Sequence, residues 1–501
     1  MILVIGAGPA GLAAAAAARR RGVSVTILDS SDQLGGQFWR HLPMSRPAAR
    51  EHLLHHGWDT FTTLRDVLVA DAGCRIIRRA QVWAIEPREV ADGGAAVTVH
   101  VVVGSPDGAG RENLNFVPDA VVLATGAHDR TLPFPGWDLP GVFTGGAAQA
   151  LAKGERIAVG RRVVVAGAGP FLLPVAASLA GVGAHVLGVF EANSAAALLR
   201  GWLPKPWRLI PAAAKAVELA GYAAGQLRHR IPYRPGRAVI AAHGTDRVES
   251  VTVAALTASW SPIPGTERAI AVDAVCVSHG FTPRLELAIA AGCDLTADRF
   301  VRVDASQLTS IAGVYAAGEI TGIGGVDLAL AEGQIAGHAA AGGRASDPER
   351  RATMRRRRVF QGFAARIEAA HGIRAGWRDW LTDDTIVCRC EEVGYGSLCR
   401  SATGTGSQSL RTLKLATRAG LGICQGRICG RSVEELLAAS APGGALTDGT
   451  LSDRRPIAAP LRIGELASLA HSTDRQTPDQ QTPQQQTTDQ TRSTHERTTH
   501  D

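Results

Sequence analysis

Two strand–turn–helix–strand patterns with glycine-rich turns, at residues 2–29 and 162–191, and four cysteines between Cys388 and Cys429 predict an α/β fold. The expected architecture is two Rossmann-like three-layer domains followed by a small α-helical module. A chain of 501 residues has room for two to four domains. With 45% apolar and 20% charged residues, disorder, collagen-like structure and coiled coil are excluded for most of it. Eight cysteines are too sparse for a disulfide scaffold.

The net charge of +7 is largely local, because Glu349–Arg358 alone holds six arginines. No recognition motif interleaves basic and aromatic residues, so no nucleic-acid partner is predicted. Met1–Ile5 runs into Gly6 without a basic segment, which is no secretory signal. Residues 163–190 lack charge, but Gly167, Gly169, Pro170, Pro174, Gly181 and Gly183 interrupt them as turns between buried parallel strands would. No membrane span is predicted, and a cytoplasmic location is expected.

Along the chain, residues 2–5 read as a strand, 9–21 as a helix and 23–28 as a second strand. Residues 96–103 and 113–117 alternate as antiparallel strands. Buried strands are expected near 119–126 and 273–280, a second βαβ unit at 162–190, and a strand and long Ala-rich helix within 311–341. The predicted organisation is a discontinuous first nucleotide-binding domain (1–130 and 290–345) and a second, smaller one (131–289). A helical linker (346–384), a cysteine module (385–437), an extension (438–470) and a disordered tail (471–501) follow. The tail has almost nothing to bury against its ordering entropy.

Gly6-Ala7-Gly8-Pro9-Ala10-Gly11 lies between strand and helix, and Asp29 closes the next strand. Gly6 suits the tight turn, Gly8 lets backbone approach a pyrophosphate, and Gly11 allows close helix–strand packing. The helix N-terminus offers free N–H groups to phosphate, and Asp29 offers a carboxylate to the ribose. Gly167-Ala-Gly169 with Glu191 repeats the pattern. Its acid favours NADH over NADPH, whereas Leu172 in place of the third glycine is expected to push the helix off the strand. NAD, another adenine nucleotide or a vestigial site all remain open there.

Cys388-x-Cys390 and Cys424-x4-Cys429 supply four thiolates, the ligand set of a 2Fe–2S cluster or a structural zinc. The tight Cys-x-Cys argues against zinc, and Gly420, Gly422, Gly426 and Gly430 would let backbone N–H groups reach the sulfurs. Cys399 is read as a spectator, and Cys74, Cys276 and Cys293 as inert core thiols. No cysteine stands in 35–41 or 126–188, so no dithiol lies beside either glycine-rich turn. His128, His41 and His279 read as structural, and no catalytic base is evident.

Leu34-Gly35-Gly36-Gln37, Ala124-Thr125-Gly126 and Gly313-Val-Tyr-Ala-Ala-Gly318-Glu319 resemble the motifs of two-dinucleotide-binding flavoproteins of glutathione-reductase type. The resemblance implies FAD at the first site, held also by Gly35, Gly36, Gln37, Thr125, Gly126, Gly318 and Glu319. It places Glu319 on the ribityl chain and the following helix N-terminus at the flavin pyrimidine.

Gly35–Arg40, Leu132–Trp137, Leu172–Ala177, Cys388-Arg-Cys390-Glu-Glu and Thr417–Gly430 resemble the larger FAD-binding subunits of bacterial heteromeric amino-acid and opine dehydrogenases. These include opine oxidase, hydrogen cyanide synthase and proline/hydroxyproline dehydrogenase. The last module is similar to bacterioferritin-associated ferredoxin. The family implies an amine-oxidase-like FAD partner subunit, a small ferredoxin-like subunit, and an amino acid or opine as substrate. It also allows ATP at the second site. The function expected is a subunit relaying electrons between flavin, cluster and acceptor. A self-sufficient NADH-dependent reductase and an assembly subunit with structural cofactors are the alternatives.

Overall fold

The computed structural model describes residues 1–43, 45–46, 51–88, 96–406, 408–440, 446 and 457–469. The tail expected at 471–501 lies outside these residues. The chain divides into two compact units, Met1–Pro460 and Leu461–Asp501. Of the second, the helix Ile463–Leu469 is described, with the Arg462 N–H donating to Glu465 Oε2 at 2.9 Å.

In the first unit, a five-stranded parallel sheet runs in the order Val314–Ala316, Ala120–Leu123, Ile2–Ile5, Val25–Leu28 and Cys74–Ile77. Its strands are near-continuous apolar runs because both faces are covered. A second parallel sheet has the order Tyr233–Pro235, His185–Glu191, Arg162–Gly167, Ala274–Ser278 and Val142–Thr144. Ala80–Arg88, Ala96–Val103 and Glu112–Phe116 form an antiparallel sheet, and Arg237–His243, Ser250–Ala255 and Arg268–Ala271 form another. Ala127–Asp129 pairs with Phe281–Pro283 between the two parallel sheets.

The helix Pro9–Arg20 carries a run of alanines, and nine of its residues are buried. Small side chains there let the helix Gly325–Ala340 approach it closely. A Cβ at Gly333 would come within 2.1 Å of the Ala10 carbonyl oxygen, and one at Gly337 within 1.9 Å of that of Ala14. The spacing of four residues places both glycines on one helical face. This contact sets the N-terminus of the second helix beside the first glycine-rich turn.

The cysteine-bearing segment is not packed as a separate body. One core joins Trp137, Val275 and Trp260 of the second sheet region to Trp377, Trp380, Cys388, Cys429 and Leu436. Trp260 and Trp380 stack at 6.1 Å with planes 12° apart, and Trp380 Nε1 donates to the Trp260 carbonyl at 2.9 Å. The link between them is the long helix Pro348–His371 and the turn Ala375–Trp380.

Gly337→Ala is expected to cost about 2–4 kcal/mol in thermal unfolding, because its Cβ would strike backbone rather than a movable side chain. Gly362→Ala, whose Cβ meets nothing within 4 Å in an exposed helix, is expected to be neutral or to stabilise by up to about 1 kcal/mol.

Candidate functional site

The first glycine-rich turn is built so that side chains cannot enter it. Gly6 has φ +107°, and a Cβ on it would lie 2.3 Å from the Ala124 carbonyl oxygen. A Cβ on Gly11 would fall 1.8 Å from the Gly6 carbonyl oxygen, and one on Gly36 would lie 2.9 Å from the Gly8 Cα. Leu12 is the first helix residue whose N–H reaches a backbone carbonyl of the turn, that of Gly8 at 3.0 Å. The N–H groups ahead of it form a helix N-terminus suited to phosphate. Asp29 accepts from Ala7 N at 2.6 Å and Ser31 N at 2.7 Å; burial raises its carboxyl above the ordinary value.

These residues open onto a cavity of about 2370 Å³. Gly6, Gly8, Pro9, Ala10, Asp29, Gly36, Gln37, Thr125, Gly126, Gly318 and Glu319 line it. Gly11 and Gly35 stand behind the wall, Gly35 with φ +106° and its N–H on the Ala7 carbonyl at 2.9 Å. Thr125 Oγ1 donates to the Arg284 carbonyl at 2.8 Å, and the Gly318 N–H donates to Glu332 Oε2 at 3.0 Å. Glu319 accepts from Gly325 N at 2.8 Å and Gly324 N at 3.4 Å, so it caps the helix Gly325–Ala340 from inside the cavity. Burial pushes its carboxyl up to about 7. The turn, the acid and the glycine-lined approach fit FAD.

The second site departs from the first. Its helix opens at Leu172, two residues later relative to its first glycine than the Pro9 helix does. Leu172 is buried in the core, and the N–H groups of Leu172 and Leu173 turn back onto the Gly169 and Pro170 carbonyls, each at 3.2 Å. Gly167 (φ +139°) packs on the Ser278 carbonyl, while Gly169 faces the cavity. Glu191 is fully buried and outside the cavity wall. Its oxygens accept from Gly169 N at 2.9 Å and from Asn193 N and Nδ2, each at 3.0 Å, and His371 Nδ1 lies 3.1 Å away. Trp202 Nε1 donates to His371 Nε2 at 3.3 Å, which leaves the Nδ1 proton facing Glu191. Glu191 therefore does not stand where a ribose hydroxyl would meet it.

The four cysteines meet as two pairs, Cys388 with Cys429 and Cys390 with Cys424. The neighbouring Cys429 thiol and the N–H groups of Gly420, Glu391 and Cys390 hold the Cys388 thiol down to about 6. Among the described residues, no group of three or more His, Cys, Asp or Glu converges on a single metal ion. Paired thiols with backbone N–H groups aimed at sulfur fit a two-iron cluster, which takes two cysteines per iron. The other thiols are unlike these: burial pushes Cys74 up to about 11 and also raises Cys276 and Cys293.

Cys424 lines the same cavity as the FAD cradle. Arg427 ties its loop to the cavity wall, a role that the resemblance of Thr417–Gly430 does not specify. Its Nε donates to Glu286 Oε1 at 2.7 Å, its Nη1 to the Cys424 carbonyl at 3.2 Å and its Nη2 to the Ala458 carbonyl. His128 Nε2 lies 2.9 Å from the Arg427 carbonyl oxygen, and burial lowers its pKa, so its ring serves this contact. His41 bonds the Trp39 carbonyl at 2.7 Å, and His279 is buried near Trp260 and Trp380 with a pKa depressed to about 3.

The fold and this site define a flavoprotein with two dinucleotide-type α/β domains that carries a 2Fe–2S module. The chain belongs to the pyridine nucleotide-disulphide oxidoreductase family, whose model matches residues 1–339, and the BFD-like [2Fe-2S] binding domain matches residues 386–439. It is 33% identical over 490 residues to an opine oxidase subunit from Agrobacterium tumefaciens, covering 94% of this chain and 92% of that protein. It is 31% identical over 445 residues to hydrogen cyanide synthase subunit HcnB of Pseudomonas aeruginosa, covering 85% and 90%. The L-proline dehydrogenase structure from P. horikoshii shares the fold at TM-score 0.63, with 20% identity over 93% of this chain and 78% of that one. The protein is thus a flavin-dependent oxidoreductase subunit, but it lacks the dithiol positions that disulfide reduction requires. No helix among the described residues is long and apolar enough to cross a membrane.

Cys390→Ser and Cys429→Ser are each expected to abolish cluster absorbance. Only Cys429→Ser, within the shared core, should also destabilise the iron-free protein, by about 1–3 kcal/mol. Elemental analysis of the wild type should find iron and not zinc. Glu319 gives a pH signature in the flavin-free chain. Its folded pKa lies above the unfolded value, so its stabilisation is complete below about pH 4.5 and is lost as pH rises through about 7. Glu319→Gln should therefore gain about 1–3 kcal/mol on wild type between about pH 5 and pH 8 in thermal unfolding.

Proposed function

We propose that this chain is the FAD- and cluster-bearing subunit of a heteromeric, cytoplasmic dehydrogenase that oxidises a C–N bond of an amino acid, imino acid or opine. An amine-oxidase-like FAD subunit is its partner and carries out substrate oxidation. The observation that carries this reading is the single cavity whose wall contains both the FAD cradle and Cys424. When bound, FAD supplies two-electron chemistry and the cluster one-electron transfer.

The chain's own residues do the positioning. Gly8 and Gly36 give the dinucleotide close approach, Glu319 orients at the cavity wall, and Arg427 fixes the cysteine loop beside it. His128 is bonded to the Arg427 carbonyl and so is engaged rather than free to act as a base, which suits a subunit that does not itself abstract substrate protons. The internal partners of Glu191 disfavour a self-sufficient NADH-dependent reductase. The opine oxidase and hydrogen cyanide synthase relatives are named as subunits, which supports the heteromeric reading. Reduced thiols and cluster ligands suit the cytoplasm.

The test is a dye-reduction assay across proline, hydroxyproline, glycine and opines. The isolated chain is expected to be inactive and a co-purified amine-oxidase-like subunit to restore activity. Full activity from the isolated chain would contradict the division of labour, and steady NADH oxidation would favour the reductase.

A further inference from the structure

One arm of the cavity lies away from the cysteine loop, where four elements meet. These are the segment Gly36–Arg40, the stretch His52–Trp58, the helix Gly145–Gly154 and the helix Ala213–Arg228. Lys153 projects into it and is only 6% exposed. Among the described residues, no carboxylate lies within 4 Å of its ammonium, and its one hydrogen bond is a long 3.5 Å contact to the Phe38 carbonyl. The carbonyls of Ala152 and of Lys153 itself, at the end of its helix, are taken by Arg156 instead. Arg40 lines the same arm, and its Nε is buried without a hydrogen-bond partner among the described residues.

Two of the acids nearby, Glu51 and Glu218, are already paired, and Asp59, which also lines the cavity, is exposed to solvent. Glu51 pairs with Arg156 at 2.7 Å, and Glu218 pairs with Lys215 at 2.8 Å while accepting from Tyr222 at 3.3 Å. His56 lies 3.6 Å from Glu218. Lys153 and Arg40 thus stand in the arm without an ion-pair partner among the described residues, next to the loop that approaches the first glycine-rich turn. A buried ammonium without a counter-ion is costly and is retained where an anion joins it. Phe38, Trp58 and Tyr222 add aromatic walls that suit an organic body rather than a bare phosphate.

We propose that Lys153 and Arg40 form a receptor for the carboxylate of a small organic acid, in an arm of the cavity adjoining the FAD cradle. The arm would admit an oxo or amino acid, with the carboxylate on the two cations and the body against Phe38 and Tyr222. This holds whichever subunit oxidises the donor.

The test titrates the purified, FAD-loaded chain, without partner, with pyruvate, its neutral analogue pyruvamide and inorganic phosphate, read by calorimetry and by flavin absorbance. Pyruvate is expected to bind and pyruvamide not. Lys153→Met and Arg40→Met should each weaken pyruvate by about tenfold to a hundredfold. Lys153→Met should keep its FAD and melt at or above the wild-type temperature, since methionine fills the space without a charge to desolvate. Unchanged pyruvate affinity in Lys153→Met, or binding of phosphate but not pyruvate, would overturn the assignment. Loss of FAD or a lower melting temperature in that variant would assign the cation to the flavin or the fold instead. Because no dehydrogenase turnover is read, failure here is distinct from failure of the proposed activity.

Discussion

Arg427 holds together what the chain must keep adjacent. Its guanidinium reaches Glu286, at the edge of the flavin domain, and the carbonyls of Cys424 and Ala458, while its own carbonyl meets His128. A charge-assisted bond of this kind is worth about 1.5–3 kcal/mol, enough to help fix the cysteine loop against the flavin body. Arg130–Glu435 and the buried Arg299–Glu434 pair tie the following helix, Gly430–Ser440, to the same body. The placement of Cys424 in the flavin cavity follows from these bridges.

The parts legible in sequence are those governed by backbone chemistry. The glycines at 6, 8 and 11 and the apolar runs at 2–5, 25–28 and 162–167 follow from local rules, and the parallel strands form there. The strand Ala80–Arg88, the sheet 237–271 and the helices within 195–228 are not among the elements the sequence predicts. Ala213–Arg228 has no buried residue, so it carries no apolar stripe to signal it. The role of Arg427 is equally invisible, because Glu286 and His128, which it joins to the cysteine loop, lie more than a hundred residues away. The spacing of the cysteines predicts a module of its own. The matching domain spans 386–439, and it shares a core with the second sheet because Trp137, Trp260 and Trp380 bridge the two; isolated tryptophans announce no partner.

The two glycine-rich turns show how one pattern can serve two ends. Asp29 and Glu191 both accept an N–H from their turn, but Asp29 stays at the cavity and Glu191 is enclosed by Asn193 and His371. The difference originates in the helix Pro348–His371, whose last residue covers Glu191. Leu172 is expected from sequence to move the helix from the strand; in the structure it packs in the core with Val163 and Val165 of that strand, and the helix starts at it.

Hydrogen–deuterium exchange on wild type and Arg427→Ala, each with FAD and iron retained, tests the central claim that this residue binds the cysteine loop to the flavin body. Faster exchange is expected in the variant at both Cys424–Gly430 and, across the contact, Ala127–Asp129 and Glu286–Ala290. Faster exchange confined to the cysteine loop, or none at all, would contradict it.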